Sequence, residues 1–284
     1  MSDPRDVTRE PSMIEFERHA PVESGGARRW WARAQNFSVE WIAADRDGAE
    51  VQFDSAHESL VLVFGHAAQL SHRAGTAVQA APRSVCIVPA GKVAVRMAAG
   101  GTCAVLASQR ADLDAGACLN AAAFAQHDAR ITPSTPAFQR LRTAGSVQVF
   151  EIDSFDAPPS NPRLKMLQSE TLSINGVDYD GPRDRRALSP HSHADLEQGS
   201  LAVAGHFVHH LRQPWGRNAD AWRDDAHVEV GSPSLMVVPV NLIHTSEGVR
   251  EGHHLLIDVF SPPRRDFIAK GWVHNAADYR EPLA

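Results

Sequence analysis

Residues 189–207, SPHSHADLEQGSLAVAGHF, decide how the rest of the chain is read. Two histidines, His191 and His193, stand one residue apart, Glu197 follows four residues later, and an alternating apolar run comes next. Strand side chains alternate faces, so a regular strand through this stretch puts His191, His193 and Glu197 on one side. Imidazole and carboxylate together make a borderline N/O ligand set, suited to one divalent transition metal: Fe, Mn, Ni, Co or Zn. The plain alternative is a polar strand face turned to solvent. A second segment bears on the choice: Pro239-x-Asn241-x-x-His244 brings a further histidine after a turn. Three imidazoles and one carboxylate leave coordination positions for water or substrate, as a catalytic metal requires.

Outward from this stretch, strand signals dominate. VLVFG, SVCIVPAG, VAVRM, CAVLAS, SVQVFEI, SLAVAGHFV, LMVVPV and HLLIDVF are short Val-, Ile- and Leu-rich runs separated by Gly, Pro, Asn and Asp. Such spacing predicts an all-β sandwich or barrel with few helices. Residues 115–130, rich in Ala, Leu and Gln and free of proline, are the best helical candidate, and a second short helix is expected at 135–144. Residues 155–163, FDAPPSNPR, read as a loop, and SVQVFEI before them is assigned to the second sheet system.

The pattern occurs twice. In the first half Gln52-x-Asp54-x-x-x-Glu58 precedes a strand with Gly65 seven residues on, and Pro89-x-Gly91-x-x-Ala94 follows. In both copies a glutamate opens an apolar strand and a V-P-x-[G/N] turn comes later.

These residues resemble the cupin family, and the doubled pattern resembles a bicupin, two jelly-roll barrels on one chain. The family's first motif is Gly, then His-x-His, a Glu about four residues on and a later Gly; its second is Gly, then Pro-x-Gly-x-x-His and a later Asn. Carried over position by position, His191, His193, Glu197 and His244 fall on the family's metal ligands. The sequence departs from the pattern at Arg185 for the leading Gly, at Gly205 one residue late, at Asn241 for the turn Gly, at Gly231 two residues early and at Gly248 for the final Asn. Asn tolerates the left-handed backbone that such a turn needs. The resemblance implies an all-β fold of two tandem cupin jelly rolls, residues 1–140 a degenerate barrel without a metal site and 141–284 the metal-bearing barrel. In the first copy Gln52, Asp54 and Ala94 stand where histidines are expected.

Composition narrows the function classes. The chain has 284 residues, 43% of them hydrophobic, with a formal net charge of -6, so it has enough apolar residues for packed cores and no basic stripe for nucleic acid. Neither a leader nor an apolar stretch of membrane-spanning length is recognised, and a cytoplasmic protein without membrane or nucleic-acid partners is expected. Cys86, Cys103 and Cys118 form no C-x-x-C pair and read as small buried hydrophobes. Two thirds of the fifteen histidines fall after residue 190.

The segment 209–227, HHLRQPWGRNADAWRDDAH, is longer than its counterpart in the first copy. It holds His209, His210, Arg212, Trp215 and Arg223, which are candidate substrate-binding residues at a barrel mouth. The competing reading is a hairpin packed elsewhere, its charges solvated. One of His209 and His210 must face inward, since successive strand residues point opposite ways. Asp258, inside an apolar run, needs a partner, and Arg264 or Arg265 is the structural one expected. Trp30, Trp31 and Trp41 read as core or interdomain packing. Two functions remain. The first is a metal-dependent enzyme on a small polar substrate, of the dioxygenase or the isomerase and lyase kind that the resemblance implies, with Glu197 as base. The second is a non-catalytic ligand-binding or sensing cupin. A homodimer is compatible with either.

Overall fold

The computed structural model describes residues 9–72, 77–142, 145–159 and 162–282. The chain is all-β, with 3-10 turns and one α-helix, Arg265–Ala269, among the described residues. Two large antiparallel sheets lie at its centre. One runs, in spatial order, Gln148–Glu151, Ser84–Val88, Ser59–Phe64, Thr102–Ala107, Ser38–Ala44, Ala27–Arg33 and Val22–Ser24. The other runs Ser12–Glu15, Ser234–Val238, Gln198–Ala204, His253–Phe260, Ser173–Asp180 and Leu164–Gln168. Each is covered on its outer side by a smaller sheet. Ala49–Ser55, Gly91–Met97, Ala68–His72 and Val78–Ala80 complete the first barrel, and Ala226–Val230, His206–Arg212 and Ile243–Val249 complete the second.

Strand parity explains the apolar runs. Leu60, Leu62, Ile87, Leu106, Trp30 and Trp41 from the first large sheet meet Leu201, Leu235, Val237, Leu255, Ile257 and Val259 from the second in one continuous core. The alternate residues Val61, Val63, Cys86, Val88, Cys103 and Val105 face the other way and pack with Val51, Phe53, Val93, Val95 and Met97 inside the first barrel. Strands buried on both faces read as unbroken apolar stretches. Truncating any one of these leucines to alanine costs about 2–5 kcal/mol. The barrels pack tightly at Gly199, where a Cβ would lie 2.9 Å from the Phe37 ring.

The second barrel is built differently. The alternate residues of its central strands are Gln198, Ser200 and Ala202, and Leu256, Asp258 and Phe260, opposite Asn175 on the neighbouring strand. Apolar packing inside it is confined to small clusters around Phe207 and Leu211. The first barrel fills its interior with hydrocarbon, and the second keeps polar groups there.

Several expectations need correction. The division at 140/141 does not follow the sheets, because Ser12–Glu15 pairs with Ser234–Val238 and Gln148–Glu151 pairs with Ser84–Val88. SVQVFEI therefore belongs to the first sheet, not the second. Residues 115–130 form two 3-10 turns, Ala115–Ala117 and Ala121–Phe124, and no α-helix. Strand Ala27–Arg33 claims that segment's polar groups instead: Leu119 N–H donates to Trp31 O at 2.8 Å, and the Asn120 amide bonds both Arg33 N–H and Arg33 O. The helix expected at 135–144 is replaced by a two-residue strand, Gln139–Arg140, paired with Tyr279–Arg280; residues 143 and 144 lie outside the described residues. The run SLAVAGHFV is two strands divided at Gly205, φ 94°. No described helix is long and apolar enough to cross a membrane. Cys86, Cys103 and Cys118 are free and buried, and burial pushes the Cys86 thiol up to about 12.

Candidate metal centre

His191, His193 and His244 come together. One ring nitrogen of each lies within 4.8 Å of the others, and the ring centroids are 4.4–5.3 Å apart. The backbone fixes this. His191 and His244 exchange both N–H···O bonds, at 3.0 and 2.8 Å, and Asn241 N–H donates to His193 O at 2.6 Å. Asn241 has φ 64°, the left-handed turn that the sequence asked of it. His191 Nδ1 donates to Ser189 O at 2.8 Å and His244 Nδ1 donates to Leu242 O at 2.9 Å. Both rings are thereby held in the tautomer whose Nε2 carries a lone pair, the form a metal ligand needs.

Glu197 is not part of this cluster. Its Oε1 accepts from Arg9 Nη1 at 3.0 Å and its Oε2 accepts from Gln35 N–H at 2.7 Å, both at the contact with the first half of the chain. The expectation assumed an unbroken strand from His191 onward, but the regular strand begins only at Gln198, and the bend at Ala194 and Asp195 cancels the parity count. Glu197 is thus neither a ligand nor a base in this arrangement. Burial raises its pKa, against the opposing pull of Gln35 and Arg9.

Gln198 takes the place expected of the glutamate. Its Oε1 lies 2.9 Å from His193 Nε2 and 3.2 Å from His244 Nε2. Its amide end donates to Asp258 Oδ1 at 2.9 Å and to Ser200 Oγ at 3.0 Å, and Ser200 Oγ donates to the same Asp258 oxygen at 2.9 Å. The oxygen must therefore face the histidines. A sequence signal for it existed. Glu58 precedes Gly65 by seven residues, and Gln198, not Glu197, precedes Gly205 by seven. Both glycines have positive φ, 68° and 94°, and mark equivalent turns. Counted back from the glycine, the position where the cupin pattern has its glutamate falls on Gln198.

The donor set fits a cation. His244 Nε2 and Gln198 Oε1 both present lone pairs and face each other at 3.2 Å, an arrangement that repels unless a proton or metal ion lies between them. Protonation is disfavoured, since burial pushes His193 down to about 4 and His244 down to about 3. Three imidazoles and one amide oxygen suit a borderline divalent ion.

Above the histidines lies a cavity of about 340 Å³, lined by His191, His244, Gln198 and Asp258, by apolar Phe207 and Phe260, and by several cations. Burial raises the Asp258 pKa. Its partners are Gln198, Ser200 and, at 3.4 Å, Asn175, and not the arginines expected: Arg264 pairs with Asp266 and Arg265 with Glu281. Arg264 instead stacks on Phe267, 4.0 Å from the ring centre, and brings Nη1 to 3.4 Å from His193 Nδ1.

The expected substrate-binding residues lie elsewhere. Trp215 is 73% exposed and stacks on Trp222, Arg212 pairs with Asp225, and Arg223 pairs with Glu10. The segment after Arg212 is an exposed loop between the paired strands His206–Arg212 and Ala226–Val230, and Asp225 and Glu10 hold its two candidate arginines. His209 faces inward, its Nδ1 2.9 Å from Ser246 Oγ, while His210 faces outward between His227 and Glu247. Neither lines the cavity among the described residues. The site residues that the sequence reading missed, besides Gln198, are Arg163, Tyr179 and Arg183.

The equivalent region of the first barrel is closed. Counted back from Glu58 as His193 and His191 are from Gln198, the positions are Phe53 and Val51, both buried core residues. Glu58 pairs with Arg140 and accepts from Tyr279 Oη at 2.7 Å, outside that core.

Neither a protein-family model nor a curated protein matches the chain. Solved structures do. Lactobacillus farciminis oxalate decarboxylase in complex with formate superposes with TM-score 0.60 at 12% identity, over 91% of this chain and 90% of that one. AerE from Microcystis aeruginosa gives 0.57 at 8% identity, over 91% and 100%. Bacillus subtilis oxalate decarboxylase, a protein with Mn(II) centres, gives 0.59 at 12%, over 89% and 77%. At these identities the likeness establishes the fold, which is that of the tandem cupins.

Proposed function

We propose that the second barrel is a mononuclear divalent-metal enzyme site, with His191, His193, His244 and Gln198 as ligands, acting on a small carboxylate-bearing organic molecule. The observation that carries this reading is the convergence of three imidazole nitrogens within 4.8 Å at the base of a cavity. A divalent ion there would supply Lewis acidity toward substrate oxygens. With four neutral ligands its charge is not offset in the first shell, which favours an anionic substrate. The manganese of the Bacillus subtilis neighbour supports a divalent metal of this kind.

The chain's own groups fit a proton-transfer reaction of the isomerase or lyase kind better than oxygen chemistry. Asp258 lines the cavity, and its Oδ2 carries only the long contact to Asn175, so that oxygen is the one able to take a proton from substrate or return it. Phe207, Phe260 and Leu256 wall the space and limit water. Tandem-cupin neighbours that are decarboxylases agree with lyase chemistry.

The test is a panel of small hydroxy, keto and dicarboxylic acids incubated with the metal-loaded protein and followed by NMR, with and without O2. Turnover that is independent of O2 and lost in Asp258→Asn is expected. Consumption only with O2 would favour the dioxygenase version, and binding without turnover across the panel would leave a ligand-binding cupin.

A further inference from the structure

The cavity over the histidines holds more positive charge than its carboxylates neutralise. Arg264 and Lys270 both lie beside Asp266. Arg183 has no such partner among the described residues: Nη1 donates to Ser246 O at 3.2 Å, and Nη2 donates to Ser189 Oγ at 3.1 Å and to Ala187 O at 3.5 Å. Its Nε is buried and meets no acceptor among the described residues. Arg163 lines the same cavity and forms no ion pair or hydrogen bond with a described residue. Burial first, and the charge of Arg163 second, hold the Arg183 guanidinium below its ordinary value.

Tyr179 adds a donor. Its Oη accepts from Gly248 N–H at 3.0 Å, and its own proton has no acceptor among the described residues. His254 stacks on the ring, with centroids 5.3 Å apart, and holds it against the cavity wall. Two guanidiniums without a paired carboxylate, and a hydroxyl proton without an acceptor, among the described residues of one concave space make a preorganised oxyanion site. Ser189 ties it to the histidines: its hydroxyl accepts from Arg183, and its carbonyl accepts from His191 Nδ1.

We infer that Arg163, Arg183 and Tyr179 form a second anion subsite in the cavity, so that the substrate is a small dicarboxylate. One oxygen-bearing end lies at the three histidines and the other carboxylate lies between the two guanidiniums. This rests on the metal-site reading above and adds the substrate's charge and bifunctionality. The volume of about 340 Å³ confines it to a small molecule.

The probes are straight-chain diacids from malonate to pimelate, each paired with the monoacid of equal length, titrated calorimetrically into protein whose metal content is known. Wild type is expected to bind at least one diacid about tenfold more tightly than its monoacid, a difference of about 1.4 kcal/mol. Arg163→Gln, which loses no ion pair or hydrogen bond to a described residue, removes that preference and leaves metal content unchanged; Arg183→Lys, which keeps a cation, retains part of it. Equal binding of diacid and monoacid throughout the series, or a preference undiminished in Arg163→Gln, overturns the subsite. An arginine-dependent diacid preference in a protein that takes up no metal overturns the metal reading and leaves the subsite standing.

Discussion

The Gln198 amide nitrogen donates to Asp258 Oδ1 at 2.9 Å, and that bond decides which end of the amide faces the histidines. A carboxylate accepts and never donates when ionised, so Asp258 fixes Gln198 Oε1 toward His193 and His244. In the proposed metal site the carboxylate would orient a neutral oxygen ligand without binding the ion itself.

Asp258→Asn removes that constraint, since an asparagine presents a donor as readily as an acceptor. Metal affinity is expected to fall about 10–100-fold, the usual effect of losing an outer partner of a ligand. Competition with a chromophoric chelator measures it. Unchanged affinity would show that Gln198 needs no orienting partner.

Adjacent residues 197 and 198 are expected to behave oppositely. Gln198→Leu lowers metal affinity, whereas Glu197→Gln leaves it unchanged and lowers folding stability by about 1–3 kcal/mol, because the contacts to Arg9 and Gln35 weaken. Chelator competition and urea unfolding separate the two effects. Loss of metal in Glu197→Gln with Gln198→Leu intact would reverse the assignment.

How much of this was legible in the sequence follows from parity. The strands were visible because both central sheets are buried on both faces, which makes runs such as Leu60 to Phe64 unmistakable. The histidine triad was visible because its spacing tolerates a loop. Glu197 was misread because a face count is valid only along an unbroken strand, and the chain bends between His193 and Gln198. Exchange of Ser12–Glu15 and Gln148–Glu151 between barrels leaves no mark in composition, since pairing partners far apart in sequence have no local signature. No motif marks Arg163 and Arg183 in the sequence; only their place in the cavity, without an ion-pair partner among the described residues, distinguishes them.

His209 provides a pH dependence outside the ligand set. Burial chiefly, with the charges of His244 and His210, holds it down at about 4. An unfolded histidine titrates near 6.5, so between about 6.5 and 4 the unfolded chain binds a proton that the folded one refuses. Stability from this group is complete above pH 6.5 and falls as pH drops toward 4, by about 3 kcal/mol in all. His209→Phe is expected to flatten that part of the urea-midpoint profile. A variant with the wild-type slope over this window would place the proton elsewhere.

In the first barrel, Glu58→Gln weakens a buried ion pair with Arg140 and the bond from Tyr279, and a stability loss of about 2–4 kcal/mol is expected with metal content unchanged. A fall in metal content would show that the two barrels share the site.

Elemental analysis of protein purified from metal-supplemented expression, wild type beside His193→Ala and His244→Ala, tests the central claim most directly. One divalent ion per wild-type chain, lost in both folded variants, is the predicted result. Metal retained in either variant, or a wild-type protein that takes up none, would contradict it.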